Sequence, residues 1–110
     1  MKESFANDVY NAVKKIPVGK VLSYGMVATL SGHHGASRAV GTALHKNPDP
    51  KSIPCHRVVG CDGRLAKFFA FGGIEAHKFA LLQEGVIFKG DKVDMNACVW
   101  NGKTSENDYE

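Results

Sequence analysis

The amino-acid sequence predicts a mainly α-helical domain, a winged-helix-like helix-turn-helix fold with a few very short strands. Three observations favour this class. Apolar residues recur at steps of three and four along much of the chain, which is the spacing that lines one face of an α-helix. Two short helical segments flank a turn that contains glycine, as in a helix-turn-helix motif. Segments typical of strands are few and very short.

The first predicted helix spans residues 4–16. Pro17 and Gly19 end it, because proline cannot continue a helix and glycine readily leaves helical geometry. One face of this helix is apolar and should pack into the core. That face comprises Phe5, Val9, Ala12, Val13 and Ile16.

The two helices of the helix-turn-helix pattern are predicted over 24–30 and 36–46. Gly32 and Gly35 lie in the turn between them, where glycine accepts backbone angles that other residues avoid. The second helix should direct a short apolar stripe towards the core. That stripe comprises Val40, Ala43 and Leu44.

The second half of the chain is predicted to hold one more helix and two tiny strands. The segment 47–50, Asn-Pro-Asp-Pro, first breaks regular structure. A fourth helix is predicted over 74–84, and Gly85 ends it. The strands are predicted over 86–88 and 92–94. The inner face of the fourth helix should carry Ile74, His77 or Lys78, and Leu81.

Length and composition predict one small domain inside the cell. A chain of 110 residues has room for one hydrophobic core, so we expect a single domain over 1–100 and a loose tail over 101–110, which has no apolar anchor. No apolar run approaches the roughly 18 residues of a membrane helix, and the N-terminus has no apolar signal core. Three cysteines without a CxxC pair suit a reducing compartment. We therefore expect a cytoplasmic monomer.

The net charge of +3 is unevenly distributed along the chain. Residues 33–67 carry six basic residues against two acids, whereas residues 84–110 carry three basic residues against six acids. A basic segment on a globular domain is a candidate phosphate-facing surface. The alternative is a solvated face with a chance excess of lysine and arginine.

The segment Ile53-Pro54-Cys55-His56-Arg57 carries the most reactive chemistry of the sequence. A thiol is nucleophilic as the thiolate, and a neighbouring histidine can accept its proton. Such a base needs an orienting carboxylate, and spacing alone does not choose among the four nearby acids, Asp49, Asp62, Glu75 and Glu84. Alternatively, Cys55 is a small buried core residue, as most free cysteines are.

Other motifs are weaker. The histidines and cysteines show none of the spacings of a zinc site, so we expect no metal and no cofactor. No glycine-rich phosphate loop and no Gly-x-Ser-x-Gly element is present. The aromatic stretch 68–73 has three possible roles, as core, lid or base-stacking surface, and we expect core.

The order of motifs is more specific than any one of them. Along the chain it runs IPVGKVLSYGMVA, SRAVGTAL, NP, IPCHRVV, DGRL and EG, over residues 16–85. This order resembles the C-terminal DNA-binding domain of the O6-alkylguanine-DNA alkyltransferases and the related alkyltransferase-like proteins. The PCHRVV segment is a very specific signature of that family.

The resemblance implies a role for each residue of the reactive site. In that family the cysteine of PCHR takes the alkyl group from O6 of a flipped guanine, which here is Cys55. The adjacent histidine acts as the base through a bound water, here His56, and the glutamate of the EG pair orients it, here Glu84. The asparagine before proline, here Asn47, braces the hinge ahead of the reactive segment.

The resemblance also implies the residues that meet DNA. The tyrosine of the SYG element, here Tyr24, would contact the phosphate beside the target nucleotide. The arginine of RAVG, here Arg38, would fill the space of the extruded base. The partner is then double-stranded DNA that contains O6-alkylguanine. Further residues expected at this interface are Ser37, Ala39, Gly41 and Arg57.

Two activities stay open at this stage. One is irreversible transfer of the alkyl group to Cys55; the other is lesion binding without transfer, with recruitment of nucleotide excision repair proteins. The chain starts directly at the DNA-binding domain, and the stretch 66–73 has no hydroxyl group where transferases tend to have one. A plain helix-turn-helix regulator and a cysteine hydrolase are the rivals from other classes.

Overall fold

A computed structural model describes residues 2–66 and 72–102, and it confirms the mainly helical fold class. Within these residues no helix is both long and apolar enough to cross a membrane. The elements in chain order are α1 (Lys2–Lys14), β1 (Leu22–Ser23), α2 (Tyr24–Leu30), α3 (Ser37–His45), a 3₁₀ turn (Cys55–Arg57), β2 (Val58–Val59), α4 (Gly73–Gln83), β3 (Phe88–Lys89), β4 (Lys92–Val93) and α5 (Met95–Cys98).

Most predicted helices are confirmed with small shifts at their ends. The predicted span of α2 matches the structure, and α3 is one residue shorter at each end than predicted. The prediction for Ile74 was wrong, because this side chain is 46% exposed while His77 and Leu81 are fully buried. Ile74 lies in the first turn of α4, where the helix is exposed, whereas His77 and Leu81 lie further along the helix and one turn apart.

A parallel strand pair joins the two halves of the chain, and the sequence pattern did not indicate it. Leu22 pairs with Val58 and Ser23 pairs with Val59. Ser23 then caps α2, since its hydroxyl accepts a hydrogen bond from the backbone amide of Met26 at 3.1 Å. In a parallel pair the residues that follow β1 lie beside those that follow β2. Tyr24, the first residue of α2, also lies close enough to Cys55 for the two side chains to interact electrostatically.

Two apolar clusters form the core. The first lies between the helix-turn-helix pair, α1 and the 3₁₀ turn, and the second lies between α4 and the β3–β4 hairpin. The first comprises Val9, Ala12, Val13, Ile16, Leu22, Val27, Ala28, Val40, Ala43, Leu44, Ile53, Cys55, Val58 and Trp100. The second comprises Val21, Val59, Leu65, Leu81, Val86, Val93 and Cys98.

A turn at Asp62-Gly63 anchors the segment after β2 to the hairpin. Gly63 adopts a φ of +92°, and its carbonyl oxygen accepts a hydrogen bond from the amide of Val93 at 2.9 Å. A Cβ atom at position 63 would overlap the carbonyl oxygen of Val93. Only glycine therefore fits both the backbone angle and the space.

Replacing this glycine tests that packing. Gly63→Ala should lower the free energy of unfolding by at least about 3 kcal/mol, since strain and overlap add. Gly90→Ala is the matched control, because Gly90 also has a positive φ (+63°) but has no atom within 4 Å of its added Cβ; it should cost about 1 kcal/mol. Urea unfolding at neutral pH measures both, and equal losses would contradict the predicted overlap.

Candidate functional site

Cys55 lies at the start of the 3₁₀ turn and is buried in the first core cluster, with 7% of its surface exposed. Burial raises the pKa of its thiol, because the thiolate loses hydration, and a hydrogen bond from the Asn47 side chain acts in the opposite direction. The thiol is therefore protonated at neutral pH. It becomes a nucleophile only when another group takes its proton.

Asn47 connects the end of α3 to the segment that enters the turn. Its side-chain amide donates to the carbonyl oxygen of Ile53 at 2.8 Å, and its side-chain oxygen accepts from the amide of Asp49 at 2.8 Å. The side chain is buried, so both hydrogen bonds are shielded from water. They hold the proline-rich segment 47–50 in one conformation ahead of Cys55.

The carboxylate of Glu84 receives three side-chain hydrogen bonds. Nε2 of His56 lies 2.9 Å from Oε2 of Glu84. Nε and Nη2 of Arg57 donate to Oε1 and Oε2 at 2.9 and 2.7 Å, which is a bidentate pair. Burial raises the pKa of Glu84, but the bonds and charges of Arg57 and His56 outweigh it, so the pKa lies below its ordinary value.

The structure thereby distinguishes the four acids that spacing left open. Glu84 is the one that contacts His56. Asp49 accepts instead from the backbone of Ser52, at 3.4 Å. Asp62 pairs with Lys92 and Arg64, and these contacts lower the pKa of Asp62 to about 2. The fourth acid, Glu75, lies in the first turn of α4.

Arg57 faces inward, although the sequence analysis placed it at the DNA interface. In addition to its bonds to Glu84, its Nη1 donates to the carbonyl oxygen of Ile16 at 2.6 Å. Only 14% of its side chain is exposed. The guanidinium thus ties the 3₁₀ turn to the chain just after α1, and a contact of Arg57 with DNA stays a prediction.

Tyr24 lies between the 3₁₀ turn and α3. Burial and the nearby Cys55 raise the pKa of its phenol. A Cβ atom added to Gly41 would lie 3.9 Å from the Tyr24 ring, so the two residues are neighbours. The remaining candidates are exposed in the first turn of α3, namely Ser37, Arg38 and Ala39.

The basic segment 33–67 presents less free charge than its composition implied. Arg57 and Arg64 pair with Glu84 and Asp62, respectively. Arg38, Lys46 and Lys51 are exposed, whereas Lys67 lies outside the described residues. The free basic charge among the described residues of this segment therefore concentrates on α3 and the loop that follows it.

His77 is a site residue that the sequence analysis treated only as a possible core position. It is fully buried on α4, its Nε2 lies 2.8 Å from the carbonyl oxygen of His56, and its Nδ1 accepts from the amide of Ala66 at 3.1 Å. The sequence contained one signal for this role, because His77 lies seven residues before Glu84 and on the inner face of α4.

Two further sequence-based predictions concern an aromatic stretch and metal binding. The aromatic stretch 68–73, expected to be core, lies outside the described residues except for Gly72 and Gly73. Within the described part of the chain, no three histidine, cysteine or acidic side chains come close enough together to hold a metal ion.

This chain is similar to known DNA methyltransferases and DNA-binding proteins. The family model described as "6-O-methylguanine DNA methyltransferase, DNA binding domain" matches residues 4–86. A methylated-DNA--protein-cysteine methyltransferase of Methanosarcina acetivorans is 42% identical over 81 residues, which are 74% of this chain and 51% of that protein. The chain thus spans about half the length of such curated relatives.

Two shorter proteins are covered more completely. The DNA base-flipping protein of Escherichia coli is 36% identical over 101 residues, which are 91% of this chain and 77% of that protein. The crystal structure of S. pombe Atl1 in complex with damaged DNA containing O6-carboxymethylguanine superposes with a TM-score of 0.75 at 31% identity, covering 90% of this chain and 96% of that one. On the length of the family match, this chain belongs to the 6-O-methylguanine DNA methyltransferase family, through its DNA-binding domain.

Proposed function

We propose that this protein repairs duplex DNA that contains O6-alkylguanine, by flipping the damaged base out of the helix and transferring its alkyl group irreversibly to Cys55. The observation that carries the proposal is a buried thiol adjacent in sequence to a histidine that a clamped carboxylate orients. The thiol is the nucleophile, the histidine is the base that removes its proton, and the carboxylate orients that base. All three cysteines are free, which suits the cytoplasmic location that we also propose.

The transfer is a single displacement. Sγ of Cys55 attacks the alkyl carbon, the carbon–sulfur bond forms, and the bond between that carbon and O6 breaks. The electron pair of the broken bond passes to guanine, which takes up one proton, while the thiol loses one. The products are S-alkylcysteine and unmodified guanine, so each protein molecule acts once.

His56 would receive the thiol proton through a bound water. Glu84 favours that step, because a carboxylate 2.9 Å from the imidazole stabilises the imidazolium that forms. Arg57 holds the carboxylate from its other side through the bidentate pair. The rotation of Glu84 is therefore restricted before any substrate arrives, and no energy is spent on orienting it during the reaction.

In this proposal, α3 carries out base flipping. The alkyl carbon of a stacked base is closed to in-line attack, so the nucleotide must leave the stack, at a cost of a few kcal/mol. Arg38 is exposed in the first turn of α3, and its side chain is long enough to fill the vacated space. Phosphate contacts that do not depend on sequence, such as that proposed for Tyr24, suit a protein that must search all DNA.

A second candidate function is lesion binding without transfer, followed by recruitment of nucleotide excision repair proteins. The specific observation in its favour is how much of this chain is similar. Atl1 matches 90% of this chain with a TM-score of 0.75 and the base-flipping protein matches 91%, whereas the M. acetivorans methyltransferase matches 74%. The two functions differ in the fate of the alkyl group, so one experiment separates them.

The transfer prediction is a gain of one methyl group on Cys55. Incubation with a duplex that contains O6-methylguanine should raise the intact mass of the protein by one CH₂, since a methyl replaces the thiol proton, and peptide mapping should locate it at Cys55. Cys55→Ser should show no gain. Cys61→Ser is the matched control, because Cys61 is exposed and outside the site. An unchanged wild-type mass with tight lesion binding would overturn transfer in favour of the second candidate.

Arg38→Ala should weaken binding to the lesion duplex at least about tenfold, because the cost of extrusion is no longer offset. Fluorescence anisotropy at fixed salt measures the Kd. Arg38→Lys keeps the charge and should lose less, and Lys51→Ala, which removes an exposed charge outside α3, should change affinity by about threefold or less. Equal effects of Arg38→Ala and Lys51→Ala would contradict insertion by Arg38.

Glu84→Gln should slow transfer at least about tenfold, because the imidazolium loses its carboxylate partner. At neutral pH it should also lower the free energy of unfolding by about 1–3 kcal/mol. The pKa of Glu84 is depressed in the folded state, so this stabilisation is complete above its unfolded value of 4.5 and is lost as the pH falls through the lower folded value. Urea unfolding of both proteins between pH 7 and 3 should show the difference shrinking below pH 4.5; a constant difference would contradict the ionised pair.

A further inference from the structure

The buried imidazole of His77 has a defined protonation state. Nδ1 accepts a hydrogen bond from the amide of Ala66, so it carries no proton. The proton of the neutral ring is therefore on Nε2, which donates to the carbonyl oxygen of His56 at 2.8 Å. His77 is fully buried, so both bonds form away from water.

These two bonds connect three segments of the site. His77 belongs to α4, the helix that ends beside Glu84. The carbonyl that it binds belongs to His56, the proposed base, in the turn that carries Cys55. The amide that it binds belongs to Ala66, in the segment that follows β2.

Burial of the ring also favours its neutral form. Burial lowers the pKa of His77 to about 4, and the nearby His56 acts in the same direction. A protonated Nδ1 would direct a second donor at the amide of Ala66 and break that bond. It would also place a positive charge beside His56 at the moment when His56 takes the thiol proton.

We propose that His77 is a positioning residue for alkyl transfer, which fixes the backbone of the turn so that His56 and Cys55 keep the orientation that proton transfer needs. This inference rests on the proposed function, because transfer to Cys55 is the step that it serves. Glu84 fixes the side chain of His56, and His77 fixes its main chain. The orientation of His56 is then fixed at both its side chain and its main chain.

The kinetic test compares three variants on lesion DNA. His77→Leu removes both hydrogen bonds at similar volume, His77→Gln restores one donor and one acceptor, and Leu81→Val reduces the packing of the same buried helix face. The single-turnover transfer rate at saturating DNA should fall tenfold or more in His77→Leu. In His77→Gln at least half of the lost rate should return, and in Leu81→Val the rate should change less than twofold. The Kd for the lesion duplex should stay within threefold throughout.

A merely structural role predicts a different result. It would lower the thermal midpoint in His77→Leu and Leu81→Val alike, and any loss of rate would follow the loss of folded protein and of DNA affinity. A transfer rate in folded His77→Leu within twofold of the wild type would overturn the proposal. So would a parallel loss of affinity and rate.

A second readout does not require transfer. Iodoacetamide alkylates Cys55 directly, and a Cys61→Ser background removes the exposed thiol. We expect His77→Leu to slow this reaction and to move its pH midpoint upward, and His77→Gln to restore both. If the wild type transfers no methyl group, the proposed function fails, whereas an unchanged iodoacetamide profile in His77→Leu refutes the role of His77.

A measurement on the unaltered protein covers the case in which His77→Leu does not fold. Nitrogen-15 NMR of the histidine rings at pH 7 should show His77 as the neutral Nε2–H tautomer. A charged ring, or the Nδ1–H tautomer, would contradict both hydrogen bonds and overturn the proposal.

Discussion

The site depends on one carboxylate, that of Glu84. It follows the last turn of α4 and binds two consecutive side chains of the 3₁₀ turn, those of His56 and Arg57. Arg57 extends the connection to the carbonyl oxygen of Ile16, just after α1. Three segments that are far apart in sequence therefore meet at one charge. Burying that charge is costly, and the bidentate pair and the histidine bond offset the cost.

The rest of the fold keeps this cluster in register with the helix-turn-helix. The strand pair joins the residues before α2 to those after the 3₁₀ turn, and its short length is sufficient because both strands are completely buried. Asn47 fixes the approach to the turn from the side of α3. Cys55 thus lies between the helices proposed to bind DNA and the carboxylate that contacts the proposed base, and it belongs to the core that these helices share.

Local patterns predicted the helices well, because each depends on residues that are three or four positions apart. The span of α2 and the inner face of α3 follow directly from such spacing. The pairing of Leu22 with Val58 was invisible to this reasoning, since two-residue strands carry no period and their partners are 36 positions apart. Ile74 was misassigned although its spacing of seven to Leu81 fits a helical face, because it lies in the exposed first turn of α4, and periodicity does not show which part of a face is covered.

Local sequence patterns also could not identify the acid that contacts His56, because that contact joins residues far apart in the sequence. Glu84 and His56 are 28 positions apart, so only the tertiary fold or a family resemblance can bring them together. Cys55 and His56 are neighbours in the sequence, so their closeness along the backbone was predictable, and proton transfer between their side chains stays a proposal. The environment that raises the pKa of the Cys55 thiol was not predictable, since it depends on which apolar residues cover it.

The composition of the basic segment 33–67 overestimated the positive charge that is free to contact DNA. Two of the arginines in the basic segment are committed to Glu84 and Asp62, and Arg57 in particular serves the site from within. Among the described residues of that segment, the free basic charge lies on Arg38, Lys46 and Lys51. The phosphate-dependent part of affinity scales with the number of phosphates contacted, so each arginine that pairs within the fold lowers the contribution of this segment to general DNA binding. Under the proposed function, selectivity for damaged DNA comes from the extruded base, since flipping is cheapest where pairing is already weakened.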